Sequence, residues 1–247
     1  MSGPDATERR TVVVTQSNYL PWKGYLDLMA AADTFVLFDE VQFTRRDWRN
    51  RNRVVAGGET RWLTIPVETK GGYETAIADI RIADGGWARK HWATLRHAYG
   101  RAPHFERYAA TLEAAYGAAA GMDRLSDVNR HFLSVLAPLM GVDTPVRDSA
   151  EVARTTTDPT RRLVELTAGF GGTRYLSGPA AKAYLEPRRF EEAGIALAFA
   201  DYGGYPSYDQ GRGAFEHGVS VVDLLMRVGP EAATHLKSTR PDGLVAA

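Results

Sequence analysis

The 247-residue chain contains no cysteine. Disulfides, thiolate catalysis and cysteine-ligated zinc are therefore excluded, and the absence fits a reducing compartment. No apolar run approaches the roughly 18 residues needed to cross a membrane. Residues 1–10 are polar and lack the apolar stretch of a signal peptide. A cytoplasmic protein with no membrane partner is the expectation. Net charge is also missing: 30 Lys+Arg face 30 Asp+Glu. No global field draws nucleic acid, so electrostatic selectivity has to be local. The six histidines do not cluster. His91, His97 and His104 are spaced six and seven apart, which does not pair ligands on one helical turn, and there is no His-Glu-x-x-His. Neither a metal nor another cofactor is expected. Gly-x-Ser-x-Gly is absent, which argues against a hydrolase nucleophile elbow.

What is present is a dense patch of one charge. Arg45-Arg46-Asp47-Trp48-Arg49-Asn50-Arg51-Asn52-Arg53 packs five arginines and one aspartate into nine residues. Cations so close repel one another unless an anion lies nearby. Guanidinium groups grip carboxylates and phosphates through paired hydrogen bonds. The interleaved Trp48, Asn50 and Asn52 set the segment apart from a plain solubilising run. It reads as part of an anion-handling site; a solvated strand edge is the plainer alternative.

The pattern along the chain is α/β. A disordered tail is expected over residues 1–10. A single α/β domain over 11–240 follows, with a parallel-sheet (Rossmann-like) core, a β-hairpin excursion and a helical insert at about 87–140. Thr11-Val12-Val13-Val14-Thr15 is a β-branched buried strand. Trp22 to Ala32 reads as a helix beside Pro21, and Thr34-Phe35-Val36-Leu37-Phe38 as a second strand. Together they make a βαβ unit with a parallel pair. Val41 to Val55, a Gly57-Gly58 turn and residues 61–67 predict a hairpin carrying the arginines. Gly71-Gly72 predicts a mobile loop, and Ile77, Ile80 and Ile82 a short strand. Apolar periods of three to four predict helices over 87–99, 103–120 and 124–140, the last closed by Gly141. Asp158-Pro159 opens a further helix with a cap and an N1 proline. Residues 174–178 and 195–199 read as strands, and 179–185, 219–227 and 230–237 as helices.

Three candidate site segments follow predicted strands, where ligands bind in open parallel sheets. The first, Gln16-Ser17-Asn18-Tyr19-Leu20-Pro21-Trp22, offers donors ahead of a helix N-terminus, which favours an anion. Class I nucleotidyl-transfer folds carry His-x-Gly-His at such a turn. Trp22-Lys23-Gly24-Tyr25 stands here instead, so adenylyl transfer is not supported. The second is Asp39-Glu40-Val41-Gln42. Adjacent strand residues point to opposite faces, so the two carboxylates are not a pair. Asp39 is the candidate base, and Glu40 is expected to be solvated. The third is Ser177-Gly178 with Lys182 one turn on, a plausible phosphate or carboxylate cradle without P-loop spacing. A later aromatic, glycine-rich loop, Asp201 to Gln210 with Tyr202, Tyr205, Tyr208 and Gln210, suits sugars, nucleobases or flat acyl groups and is a candidate wall of the same cleft. Each segment also has a structural reading as a turn, a cap or a partner for the arginines.

Taken together, Gln16 to Tyr25, Phe38 to Arg53, Trp62 to Val67, Lys90-His91-Trp92, Tyr175 to Gly178, Pro206 to Gln210 and Val222 to Leu225 resemble the WbqC-like protein family. The resemblance runs from about residue 12 to 236. Members of that family are often encoded beside enzymes for surface polysaccharides and small natural products. The resemblance therefore implies a biosynthetic enzyme, one that transfers an acyl or aminoacyl group to an amine of a sugar or natural-product intermediate. Its substrate would be an anionic small molecule or a carrier-protein-bound group. Arg46, Arg49, Arg51 and Arg53, with Trp48 and Asn50, would hold the donor, and Asp39 or His91 would take the acceptor's proton. Two alternatives stay open: a condensing or cyclising enzyme acting on a carrier-bound thioester, and a non-catalytic sugar-nucleotide-binding protein. One departure from the expected pattern is Tyr205, where a histidine is expected before Pro206.

Overall fold

The computed structural model describes residues 9–68, 74–211, 213–239 and 243–245. Most of the proposed tail and the Gly71-Gly72 loop lie outside the described residues. The centre is a five-stranded sheet of β1 (Thr11–Thr15), β2 (Thr34–Leu37), β5 (Val146–Asp148), β6 (Arg174–Ser177) and β7 (Ala196–Phe199), in the order β5-β2-β1-β6-β7 with every pair parallel. Helix α1 (Lys23–Ala30) connects β1 to β2, completing the predicted βαβ unit. Two antiparallel strands, β3 (Arg51–Ala56) and β4 (Glu59–Thr64), form the hairpin. Its turn residues Gly57 and Gly58 have φ of +67° and +88°. Two consecutive positive φ values match the twist of a two-residue hairpin turn and favour glycine at both positions.

Helices α2 (Trp87–Tyr99), α3 (Phe105–Ala119) and α4 (Leu125–Leu139) follow, within two residues of the predicted bounds. Gly141, with φ of +68°, ends the last of them in the left-handed conformation. Helix α5 (Pro159–Gly169) begins as its sequence says: the Asp158 carboxylate accepts from the Arg161 amide at 2.8 Å, and Pro159 occupies the first turn. Helices α6 (Pro187–Glu192) and α7 (Val221–Val228) complete the set.

The sheet buries both faces, and its side chains alternate accordingly. Val12, Val14, Val36 and Tyr175 pack with Leu163, Leu166 and Phe190 of α5 and α6. Val13, Phe35, Leu37 and Leu176 join a larger core shared with α1, the hairpin, α2–α4 and α7. No helix among the described residues is long and apolar enough to cross a membrane.

Several local expectations are corrected. Residues 41–50 are turns, not the first half of a hairpin strand. β4 ends at Thr64 opposite Arg51, so no partner strand remains for them. Their backbone groups bond elsewhere instead: Phe43 N–H to Thr75, Ile77 N–H to Val41 and Tyr19 N–H to Trp48. The isoleucines at 77, 80 and 82 lie on a 3-10 turn (Ile77–Asp79) and its exit, docked on the start of α4 through Leu125 N–H to the Ile80 carbonyl. The segments after β6 and after α7 are also 3-10, over Pro179–Ala183 and Gly229–His235.

Candidate functional site

The chain runs β1, β2, β5 to one side of the sheet and then returns to place β6 on the free side of β1. The β1/β6 junction is therefore the point where strand order reverses, and the crevice beyond such strand ends is where open α/β sheets bind ligands. Here the two strands part early. They are paired only at Thr11–Arg174 and Val12–Tyr175, although β1 continues to Thr15 and β6 to Ser177. On their outer sides both stay paired to the end, Thr15 with Leu37 and Ser177 with Phe199.

The parting opens a cavity of about 520 Å³. Its polar wall includes Thr15, Gln16, Asn18, Arg49 and Ser177. Its rings are Trp22, Tyr25, Phe38, Trp48, Tyr175, Tyr184 and Tyr202. No carboxylate, histidine or lysine lines it among the described residues. Two of its four phenols approach Ser177 and Gly178. Tyr175 donates at 3.4 Å to the Val14 carbonyl or to Ser177 Oγ. Tyr202 passes beside Gly178, where a Cβ would stand 3.3 Å from the phenol oxygen. Burial pushes both hydroxyls well above the ordinary tyrosine pKa, so they remain protonated donors.

Arg49 is held from several sides. Its guanidinium donates to Asn18 Oδ1 and lies 3.6 Å from Asp47. Its carbonyl accepts from Asn129 Nδ2 at 2.9 Å, and the same amide donates to Ser17 Oγ at 3.0 Å. Ser17 N–H in turn donates to Asp39 Oδ1 at 2.8 Å. Asp39 thus sits behind the Gln16–Asn18 turn and outside the cavity wall. Its carboxyl is pushed up by burial, with the Ser17 bonds and the Arg49 charge opposing.

The other sequence candidates lie elsewhere. Asn50 and Asn52 are the inward residues of the hairpin: Asn50 Nδ2 donates to Ile65 O at 2.8 Å and Asn52 Nδ2 to Leu20 O at 2.8 Å. Arg51 and Arg53 take the opposite face. Arg51 stacks on Trp62 at 4.1 Å and bonds the carbonyl of exposed Arg46; Arg53 bonds Glu216 and the Gly218 carbonyl, both at 3.0 Å. Neither lines the cavity, though Trp48, which does, touches Trp62 at 5.4 Å. Gln42 is exposed and bridges Ala76. Lys182 is exposed, with its ammonium 5.3 Å from the Phe199 ring.

His91 is buried in the helical block. Its Nδ1 is 2.9 Å from the Tyr19 hydroxyl, which also meets that of Tyr116 at 2.8 Å. Burial pushes the imidazole pKa down to about 4 against a bond to the Thr64 backbone. Tyr205, where a histidine was expected, donates its hydroxyl to buried Asp27 at 2.6 Å. Tyr208 and Gln210 donate to buried Asp223 at 2.8 and 3.1 Å. Glu40, expected in solvent, instead takes both arms of Arg162 at 2.9 Å.

The sequence reading missed Asn129, Tyr175 and Tyr184, whereas Tyr202, at the start of the aromatic loop, does line the cleft. Asn129 carried a signal: a lone amide on the apolar stripe of Leu125, Val128, Phe132 and Leu136. Among the described residues no three His, Asp or Glu side chains gather where they could hold a metal ion.

The profile of the WbqC-like protein family matches residues 16–235. The chain is also 38% identical over 231 residues to the uncharacterized protein Rv1507c of Mycobacterium tuberculosis, covering 94% of this chain and 99% of the relative. No solved structure matches it.

Proposed function

The chain belongs to the WbqC-like protein family, and on that premise we propose that it is a biosynthetic group-transfer enzyme that moves an acyl or aminoacyl group onto an amine of a sugar or natural-product intermediate. The observation that carries this reading is the early parting of β1 and β6, which opens an aromatic-walled cleft with Arg49 as its cation among the described residues. Seven rings suit a flat or sugar-bearing donor, and a guanidinium suits that donor's phosphate or carboxylate. The acceptor nitrogen would add to the acyl carbon. The bond to the leaving group would then break, and the amine's proton would pass to the departing group or to water. Tyr175 and Tyr202, kept protonated, would donate to the oxyanion that forms. Asp39 and Asn129 would act by holding Ser17 and Arg49 in place, so that rate comes from proximity and orientation.

A sugar-nucleotide-binding protein without turnover is the second reading. It is favoured by the absence of carboxylate, histidine and lysine from the described cleft wall. One experiment separates them. Nucleotides, acyl-coenzymes and sugar nucleotides are screened by thermal shift against the wild type and Arg49→Ala. Each hit is then incubated with amine acceptors and followed by mass spectrometry. A hit that depends on Arg49 and yields an amide supports transfer. An Arg49-dependent hit with no product supports binding alone, and a screen in which no hit depends on Arg49 sinks both readings.

A further inference from the structure

A second cavity, of about 830 Å³, lies at the far end of the hairpin from Arg49. The six residues of β3 span about 17 Å from first to last at strand rise. Its wall has an unusual composition. Arg61, Arg96, His97, Arg101 and Arg227 face it, and every other lining residue is glycine or alanine, Gly57, Gly58 and Gly211 among them.

Four guanidiniums thus converge from β4 (Arg61), the last turn of α2 (Arg96), the turn after it (Arg101) and α7 (Arg227), on a wall that offers neither an acid nor an apolar ring. Among the described residues none of the four makes an ion pair within 4.0 Å, whereas nine other arginines do. Arg227 Nε is buried and has no hydrogen-bond partner among the described residues. Asp223 feels the Arg227 charge but makes no ion pair with it within 4.0 Å: its Oδ2 accepts from Tyr208 and Gln210, and its Oδ1 is buried without a hydrogen-bond partner among the described residues. Gly211, at φ of +90°, leaves the room the guanidinium occupies: a Cβ there would stand 3.0 Å from both Nη atoms. In a chain of zero net charge, like charges gathered without counter-charges call for an anion from outside.

We propose that this cavity is a binding site for a small molecule carrying two or more phosphate groups. Guanidinium forks match phosphate oxygens in geometry as well as in charge. The concavity is of the size that encloses a small ligand and does not suit a flat macromolecular face. The bare glycine and alanine wall leaves volume for phosphate between the guanidiniums. The site is separate from the Arg49 cleft and stands whether or not the transfer reading holds.

The test is calorimetric titration of the full-length chain with inorganic pyrophosphate at low salt. The wild type is expected to bind. Arg96→Ala/Arg101→Ala, two exposed positions, is expected to weaken binding by roughly tenfold or more, about 1.4 kcal/mol per decade. Arg96→Lys/Arg101→Lys should lose less, and Arg188→Ala, an exposed arginine outside both cavities, should bind as the wild type does. Thermal melts of all variants establish that they fold. Equal affinity in the wild type and the double alanine variant would overturn the assignment. So would loss of binding in Arg188→Ala, absence of pyrophosphate binding by the wild type, or preference of the same residues for RNA or an acidic protein over pyrophosphate.

Discussion

Arg162 at the edge of the sheet and Arg96 at the end of α2 carry the same charge in opposite settings. The Arg162 side chain is 2% exposed, forks onto both oxygens of Glu40, reaches Glu165 at 3.3 Å and donates to the carbonyls of Ser149, Val152 and Ala153. Around Arg96 the cavity walls bring other arginines, His97, Phe105, glycine and alanine, and among the described residues it makes no ion pair within 4.0 Å. A fully answered guanidinium ties β2, the turn after β5 and α5 together and has little left for a ligand. An unanswered group destabilises its surroundings slightly and keeps its donors available. Arg49 falls between the two: its backbone is anchored and its charge is half answered by Asp47, but its side chain lines the cleft.

The comparison breaks most readily at Arg162. Removing one partner of a buried ion pair costs about 3–5 kcal/mol, so Arg162→Ala should lower the urea-unfolding free energy by that order. Arg96→Ala/Arg101→Ala should stay within about 0.5 kcal/mol of the wild type. If the two proteins unfold alike, answered and unanswered arginines are not the distinct classes described above.

The next effect concerns a buried group kept neutral where Arg162 is kept charged. The folded-state pKa of His91, about 4, lies below its ordinary value of 6.5. The unfolded chain therefore binds the proton first. The stability that neutral His91 contributes is present above pH 6.5 and is lost as pH falls toward 4, by about 3 kcal/mol in all. Asp39 and Asp223, whose carboxyls burial pushes up, act in the opposite sense in both proteins. The difference between the wild type and His91→Phe across this window therefore isolates His91. Urea melts at pH 7, 5.5 and 4 should show the variant losing less; parallel losses would mean that the imidazole titrates near its ordinary value.

The smallest expected effect sharpens the intermediate case. Asn129→Ala removes two hydrogen bonds, to Ser17 Oγ and the Arg49 carbonyl. It should cost about 2 kcal/mol and also weaken any cleft ligand that depends on Arg49. A variant that binds such a ligand at wild-type strength would make Asn129 a purely structural residue.

Much of this architecture was legible in the chain. The β-branched run at 11–15, the Asp158-Pro159 helix start, the Gly57-Gly58 turn and the apolar periods of α2–α4 are local signals, each decided within a few residues. The short strand at 146–148 and the six-residue helix at 187–192 were not legible, because elements so brief carry no period. The site was half legible. Gln16, Asn18, Trp22, Trp48, Arg49 and Ser177 do meet in one cleft. Tyr205, Tyr208 and Gln210 looked like cleft walls and instead bond the buried carboxylates of Asp27 and Asp223.

The sequence alone determined the family, the α/β class and the alternation of Asn50, Arg51, Asn52 and Arg53, because strand period assigns neighbours to opposite faces whatever they face. The tertiary structure alone decided which face is inward, where β1 and β6 separate, and which arginines meet a carboxylate. Those outcomes depend on contacts between residues more than a hundred positions apart, such as Glu40 with Arg162 and Arg53 with Glu216. Charge is a property of a residue, but neutralisation is a property of a place, and only the fold brings the partners to it.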